Sequence, residues 1–148
     1  MTFFTLLLVF TGFIIGLGAV TVIDLHGFLG RKSAYWTEAT TRTHKVTKPM
    51  IWIGMVLATL GGVLFYWGDS FFWTPLIHLL LIVALVANGC FLSFVVSPYM
   101  LRREREGRDS ELLPASFQVK IAASMIVSVI GWWGSLALFI FELSSRMV

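Results

Sequence analysis

The sequence predicts an all-α integral membrane protein, an antiparallel bundle of four transmembrane helices with both termini extracytoplasmic. Three observations carry that expectation. Of 148 residues, 57% are hydrophobic and 13% charged, against roughly 25% charged in a soluble domain, and the mean hydropathy is +0.86. Four apolar stretches, about 3–24, 50–67, 72–97 and 118–141, have the length of a bilayer-spanning helix, which needs roughly 20 residues. Ten of the eleven Lys and Arg residues lie between stretches one and two, between three and four, or at the start of four.

The first stretch lacks the positive n-region of a signal peptide and is longer than a usual signal-peptide core, so we expect it to stay as a helix. Gly12 and Gly16 stand four apart in it, and such spacing lets helix backbones approach closely in lipid. The polar segment 23–49 follows, with His26, His44, Arg31, Lys32, Arg42, Lys45, Lys48 and a run of threonines. Ser33 is a candidate N-cap for a short surface helix from Ala34 to about Val46, anchored by Tyr35 and Trp36 at headgroup depth. Pro49 is expected to begin the second span and to disfavour helical geometry at Lys48. Thr40, His44 and Lys48 share a face only if the helix runs on.

Gly54, Ala58 and Gly62 repeat the small-residue spacing in the second span. Gly68-Asp69-Ser70, bracketed by Trp67 and Trp73, predicts a tight hairpin turn at the membrane interface. The third span carries His78 several residues inside it, then Asn88 and the lone cysteine, Cys90, read as a buried inert thiol. A single cysteine excludes an internal disulfide and any cysteine-based zinc site. The stretch "LRREREGRDSELLP" (101–114) is nearly charge-balanced and reads as a solvated loop with helix-like Arg–Glu pairs. Pro114 precedes the fourth span, in which Lys120, Ser124, Ser128, Gly131 and Ser135 run down one face. That face either lines a polar interior or makes interhelical hydrogen bonds, and packing is the favoured reading. No heptads, repeats or low-complexity tracts occur, and 1–148 reads as a single domain.

The basic segments must share one side of the membrane. By the positive-inside rule that side is the cytoplasm, which places the chain in the cytoplasmic (inner) membrane. The net charge of +3 thus follows topology. It does not point to nucleic acid, for which no aromatic stacking platform accompanies the basic residues. Nothing resembles a phosphate loop, a nucleophile triad or a paired-carboxylate hydrolase site.

Three histidines remain as candidate ligands. Asp24, His26 and His44 are expected at one depth, where a neutral imidazole is a good haem-iron ligand and the nearby lysines and arginines suit propionates. Solvated or headgroup-bound histidines are the alternative. His78 stands apart in the outer half. An ionisable residue at membrane depth is a functional candidate, and a neutral imidazole bonded to a neighbouring helix is the alternative.

With "THKVTKPMIWIGMVLATLGGVLFYW" (43–67) and "TPLIHLLLIVALVANGC" (74–90), the layout resembles the small HemJ-like and CopD-like four-helix membrane proteins. The first resemblance implies haem and protoporphyrinogen oxidation, the second copper handling. The sequence departs from the first in having no histidine in "VFTGFIIGLGAV" (9–20), and from the second in its scattered methionines. The leading expectation is therefore a redox role with b-type haem or a related porphyrin, on His78, then His26 and His44, with no metal beyond the haem iron. A cofactor-free scaffold or accessory subunit, packing by its glycine faces against itself or a larger membrane complex, is the second. A small transporter built on the Lys120/Ser124/Ser128/Ser135 face is the third. The lipid bilayer is the common partner.

Overall fold

The computed structural model describes residues 3–68 and 73–147. Among these the regular structure is entirely helical: α1 (Phe3–Gly30), α2 (Ala34–Phe65), α3 (Trp73–Phe91), a π-helical turn (Leu92–Val96), α4 (Ser97–Arg105) and α5 (Ala115–Ser145). The segments from Trp73 to Arg105 form one continuous helix, and four helices are long and apolar enough to cross a membrane. This is the architecture of a multi-pass membrane protein. Large apolar side chains such as Ile14, Leu60, Leu80, Phe94, Ile130 and Phe141 point outward, as a lipid solvent requires.

The helices outrun the apolar stretches that predict them. At 1.5 Å per residue, the 32 residues of α2 extend about 48 Å, well beyond a hydrocarbon core of about 30 Å. Ser33 is the N-cap, accepting from the Trp36 amide at 3.5 Å, but the helix it starts does not stop at Val46. It continues through Pro49 to Phe65, which corrects the expectation that Pro49 opens the second span. Proline removes one intrahelical hydrogen bond, yet the helix runs on across it. Thr37, Thr41 and Thr47 are buried, and they turn their hydroxyls onto the carbonyls of Ser33, Thr37 and Thr43 four residues back. They therefore enter the interior without unmet donors.

Buried faces hold the helices together. Gly12 meets Ala58, Gly16 meets Gly54, and Val9 meets Gly61, so the pairing descends along α2 as it ascends along α1. Gly62 does not belong to this face, contrary to expectation: a side chain there would meet nothing within 4 Å. α5 closes against α1 through Trp132, whose ring lies on Gly16, edge-on to Phe13 with centroids 6.2 Å apart. α3 joins α5 where Leu85 lies on Gly131. Beside it, Asn88 Nδ2 donates to the Ser124 carbonyl at 3.1 Å and to Ser128 Oγ at 3.3 Å, and Ser124 Oγ returns a bond to Asn88 Oδ1 at 2.7 Å. Ser124 and Ser128 of the serine face of α5 thus make interhelical hydrogen bonds, Ser124, Ser128 and Ser135 are buried, and Lys120 is exposed outside that face.

The connection 106–114 is more ordered than a solvated loop. Gly107, at φ +69°, ends α4 in a Schellman arrangement, its amide on the Glu104 carbonyl and that of Arg108 on the Arg103 carbonyl. Arg103 is only 5% exposed, and its Nη2 donates to the carbonyls of Arg108, Glu111 and Leu112 at 3.2, 2.8 and 3.3 Å. Its guanidinium lies over the ring of Tyr99, which stacks on Phe117 of α5 at 4.2 Å. At the opposite end, Trp67 and Trp73 are exposed. Asp69 and Ser70 of the expected tight turn lie outside the described residues.

Candidate functional site: two interior cavities

Two cavities occupy opposite halves of the helix assembly. The larger has a volume of about 510 Å³, within the 300–1,000 Å³ usual for ligand pockets. It separates α2 from α3 and is floored by Val9 and Phe13 of α1 and by Trp132 and Phe139 of α5. Its walls are mostly apolar, with Thr59 of α2 and one polar group where Tyr66, His78 and Ser135 come together. Tyr66 Oη is 2.8 Å from His78 Nδ1, and His78 Nε2 is 3.0 Å from the Ser135 carbonyl oxygen.

That carbonyl can only accept, so Nε2 carries a proton, and in the neutral imidazole Nδ1 accepts from the Tyr66 hydroxyl. The backbone of α5 thus sets the tautomer of a neutral His78. Gly62 also lines this cavity, which is why no neighbour would meet a side chain there. Tyr66 escaped the sequence reading because a tyrosine next to two tryptophan-flanked turn residues looks like interfacial anchoring. Only helix packing sets it against His78.

The smaller cavity, about 80 Å³, lies in the half that carries the basic residues. Thr40, His44 and Lys48 line it together, because α2 stays helical through Pro49 and holds positions four apart on one face. Asp24 of α1, Arg31 of the turn after it, Ser93 of the π turn and Ser124 of α5 line it as well. Among the described residues, Asp24 Oδ2 is buried with no hydrogen-bond partner, and so is His44 Nε2.

Lys48 Nζ donates instead to the Ser93 carbonyl at 3.5 Å, and Trp52 Nε1 to Ser93 Oγ at 3.2 Å. The chemistry of the π turn explains the first bond. In its i→i+5 pattern the Ser97 amide bonds the Leu92 carbonyl. The Ser93 carbonyl would next take the amide of residue 98, which is proline and has none.

His26 does not join this cavity. Its ring packs against Trp36 with centroids 5.0 Å apart, and its Nδ1 is buried without a partner. The structure therefore brings Asp24 and His44 together, sets His26 on another face of α1, and places His78 in the opposite half. Cys90 is a half-buried free thiol. Among the described residues no three His, Cys, Asp or Glu side chains converge as a metal site.

The two basic segments meet at one end, where Lys45 Nζ lies 2.7 Å from Glu104 Oε1. Arg146, the eleventh basic residue, is at the other, with its guanidinium 4.2 Å from the Phe65 ring centroid. Compared with models of protein families, with curated proteins and with solved structures, the chain matches none.

Proposed function

We propose that the chain is an antiparallel four-helix bundle of the cytoplasmic membrane, both termini outside, that holds b-type haem or a related porphyrin in the cavity between α2 and α3. The observation that carries this reading is His78 in the wall of an apolar cavity of about 510 Å³. A ligating histidine commonly donates its second ring N–H to a carbonyl, which fixes the tautomer, and the Ser135 carbonyl stands in that position for His78. The lone pair on Nδ1 then faces Tyr66, whose hydroxyl must turn away for the nitrogen to ligate. The apolar walls suit the porphyrin body and exclude water. Haem would supply one-electron chemistry there. The test is an absorption spectrum of the purified protein, oxidised and reduced. A Soret band that shifts on reduction and is lost in His78→Ala, while His26→Ala and His44→Ala retain it, supports the reading. A protein that stays colourless after haem is supplied rejects it.

A second reading, a cofactor-free accessory subunit, draws on one observation: both nitrogens of His78 already have protein partners. Its glycine faces would not be the means of association, since Gly12, Gly16 and Gly54 are used inside the chain.

A further inference from the structure

We propose that Asp24 and His44 form a buried proton-binding site, bridged by water, in the basic half of the bundle. The site shares no residue with the histidine cavity and stands independently of what that cavity holds. It starts from two unmet atoms. Asp24 Oδ2 and His44 Nε2 are both buried and have no hydrogen-bond partner among the described residues, and both side chains line the same cavity of about 80 Å³.

A buried polar atom left unpaired costs the full loss of its hydration. An ionisable side chain at membrane depth marks a proton or ion path more often than a packing site. One water occupies roughly 10–15 Å³ of such a volume, so the cavity has room for about six. Water molecules satisfy both atoms at once, donating to Asp24 Oδ2 and exchanging donor and acceptor roles with His44 Nε2.

The surrounding charges decide what else the site takes. From the turn after α1 the cavity receives Arg31, and from α2 Lys48; α3, the π turn, α4 and α5 contribute only uncharged residues, among them Ser93, Met100 and Ser124. Lys48 is directed at the Ser93 carbonyl, and no ion pair joins either cation to Asp24. Two cations beside one carboxyl disfavour a metal cation, and Asp24 opposes an anion. A proton, unlike a metal cation, is held by a covalent O–H bond without a coordination shell, and it converts Asp24 from an unpaired carboxylate into a donor. In the site's single step one proton passes from water on the basic side to the pair, and no electron moves. Trp52 lines this cavity, whereas Met55 and Leu85 line the other.

Infrared difference spectra of the full chain in lipid nanodiscs, recorded between acid and alkaline buffers, test the site. The expected result is a protonated-carboxyl band that comes and goes with pH, moves in heavy water, and shifts when all aspartates carry ¹³C in the carboxyl group. The isotope assigns the band without mutation. The chain has three aspartates, Asp24, Asp69 and Asp109, and the band must survive in Asp69→Asn and Asp109→Asn but vanish in Asp24→Asn. In His44→Gln its midpoint must move by about one pH unit or more, the coupling that defines a shared proton. The proposal is overturned by the absence of an aspartate carboxyl band, by a band that persists in Asp24→Asn, or by a midpoint unmoved in His44→Gln. It is overturned equally by a band that disappears when potassium is replaced by sodium at constant pH, since the site would then hold a metal cation. A melting curve on each variant separates loss of the band from loss of the fold.

Discussion

Gly16 and Gly54 lie backbone to backbone: a methyl group built on Gly54 would overlap the Cα and amide nitrogen of Gly16 and reach the Gly12 carbonyl oxygen at 2.8 Å. No side-chain movement relieves that overlap, because the atoms in the way are main chain. Gly54→Leu should therefore force α1 and α2 apart and lower stability by at least about 1–3 kcal/mol, the usual cost of overpacking. Gly62→Leu, on the same helix, projects into the large cavity and should leave stability unchanged or higher. Thermal melts of the two variants in detergent compare them; equal losses would mean that the interface lies elsewhere.

Gly62 also offers a steric block. If the cavity holds a porphyrin, Gly62→Phe should lower haem occupancy while the melt stays intact.

Tyr66→Phe should do the opposite of His78→Ala. It removes the hydroxyl that competes for Nδ1 and so should raise haem occupancy or shift the Soret band. In a protein without haem the loss of its hydrogen bond to His78 costs about 1 kcal/mol. Haem titration of the two variants followed by absorbance tells these outcomes apart.

Arg103 satisfies three carbonyls of the 108–112 segment and links α4 through Tyr99 to α5. Arg103→Ala leaves those carbonyls without their donor and should destabilise the protein by about 2–4 kcal/mol. Arg103→Lys should recover little, since an ammonium cannot reproduce the planar fork. Limited proteolysis should show new cleavage between 106 and 113 in both variants.

The same connection should loosen in acid. The hydrogen bond from Arg102 holds the Glu106 carboxyl below its ordinary value of 4.5, and that from Arg108 does the same for Glu111. A carboxyl depressed in the fold contributes stability that is complete above its unfolded value and lost as pH falls through the folded one. Amide exchange at 106–112 should therefore rise below about pH 4, while that of the helices does not.

Orientation is checked by reporters. A fusion after Val148 should behave as extracytoplasmic, and an insertion at Gly107 as cytoplasmic; the reverse pattern would overturn the assignment of the basic end to the cytoplasm.

Much of the helical layout was legible because lipid imposes a simple demand. A chain that crosses hydrocarbon must satisfy its backbone internally, so long apolar runs become helices whatever their detailed sequence. Helix ends were less legible. Pro49 and the threonine run are stop signals in a local reading, and at Thr37, Thr41 and Thr47 they were outweighed by packing against α1 and by hydroxyl bonds to the preceding turn. The candidate histidines were visible as residues, but their surroundings were not: the contact of Tyr66 with His78 and the cavity that Asp24 and His44 both line join residues of different helices.

The sequence by itself determined the number of apolar helices, the gathering of basic residues into two segments, and the N-cap at Ser33, since each follows from composition, charge or one turn of backbone. Only the tertiary structure decided which small residues pair, Gly61 and not Gly62, and that Arg103 is an internal donor while its neighbours face solvent. It also decided that one cavity gathers His78 with Tyr66 while the other has Asp24 and His44 in its wall. The physical reason is that helix rotation sets all three. Every helix is apolar on most sides, so hydrophobicity does not distinguish the face turned to lipid from the face turned inward. Backbone contact at glycine and bonds such as Asn88 to Ser124 select the rotation, and they exist only once the helices are together.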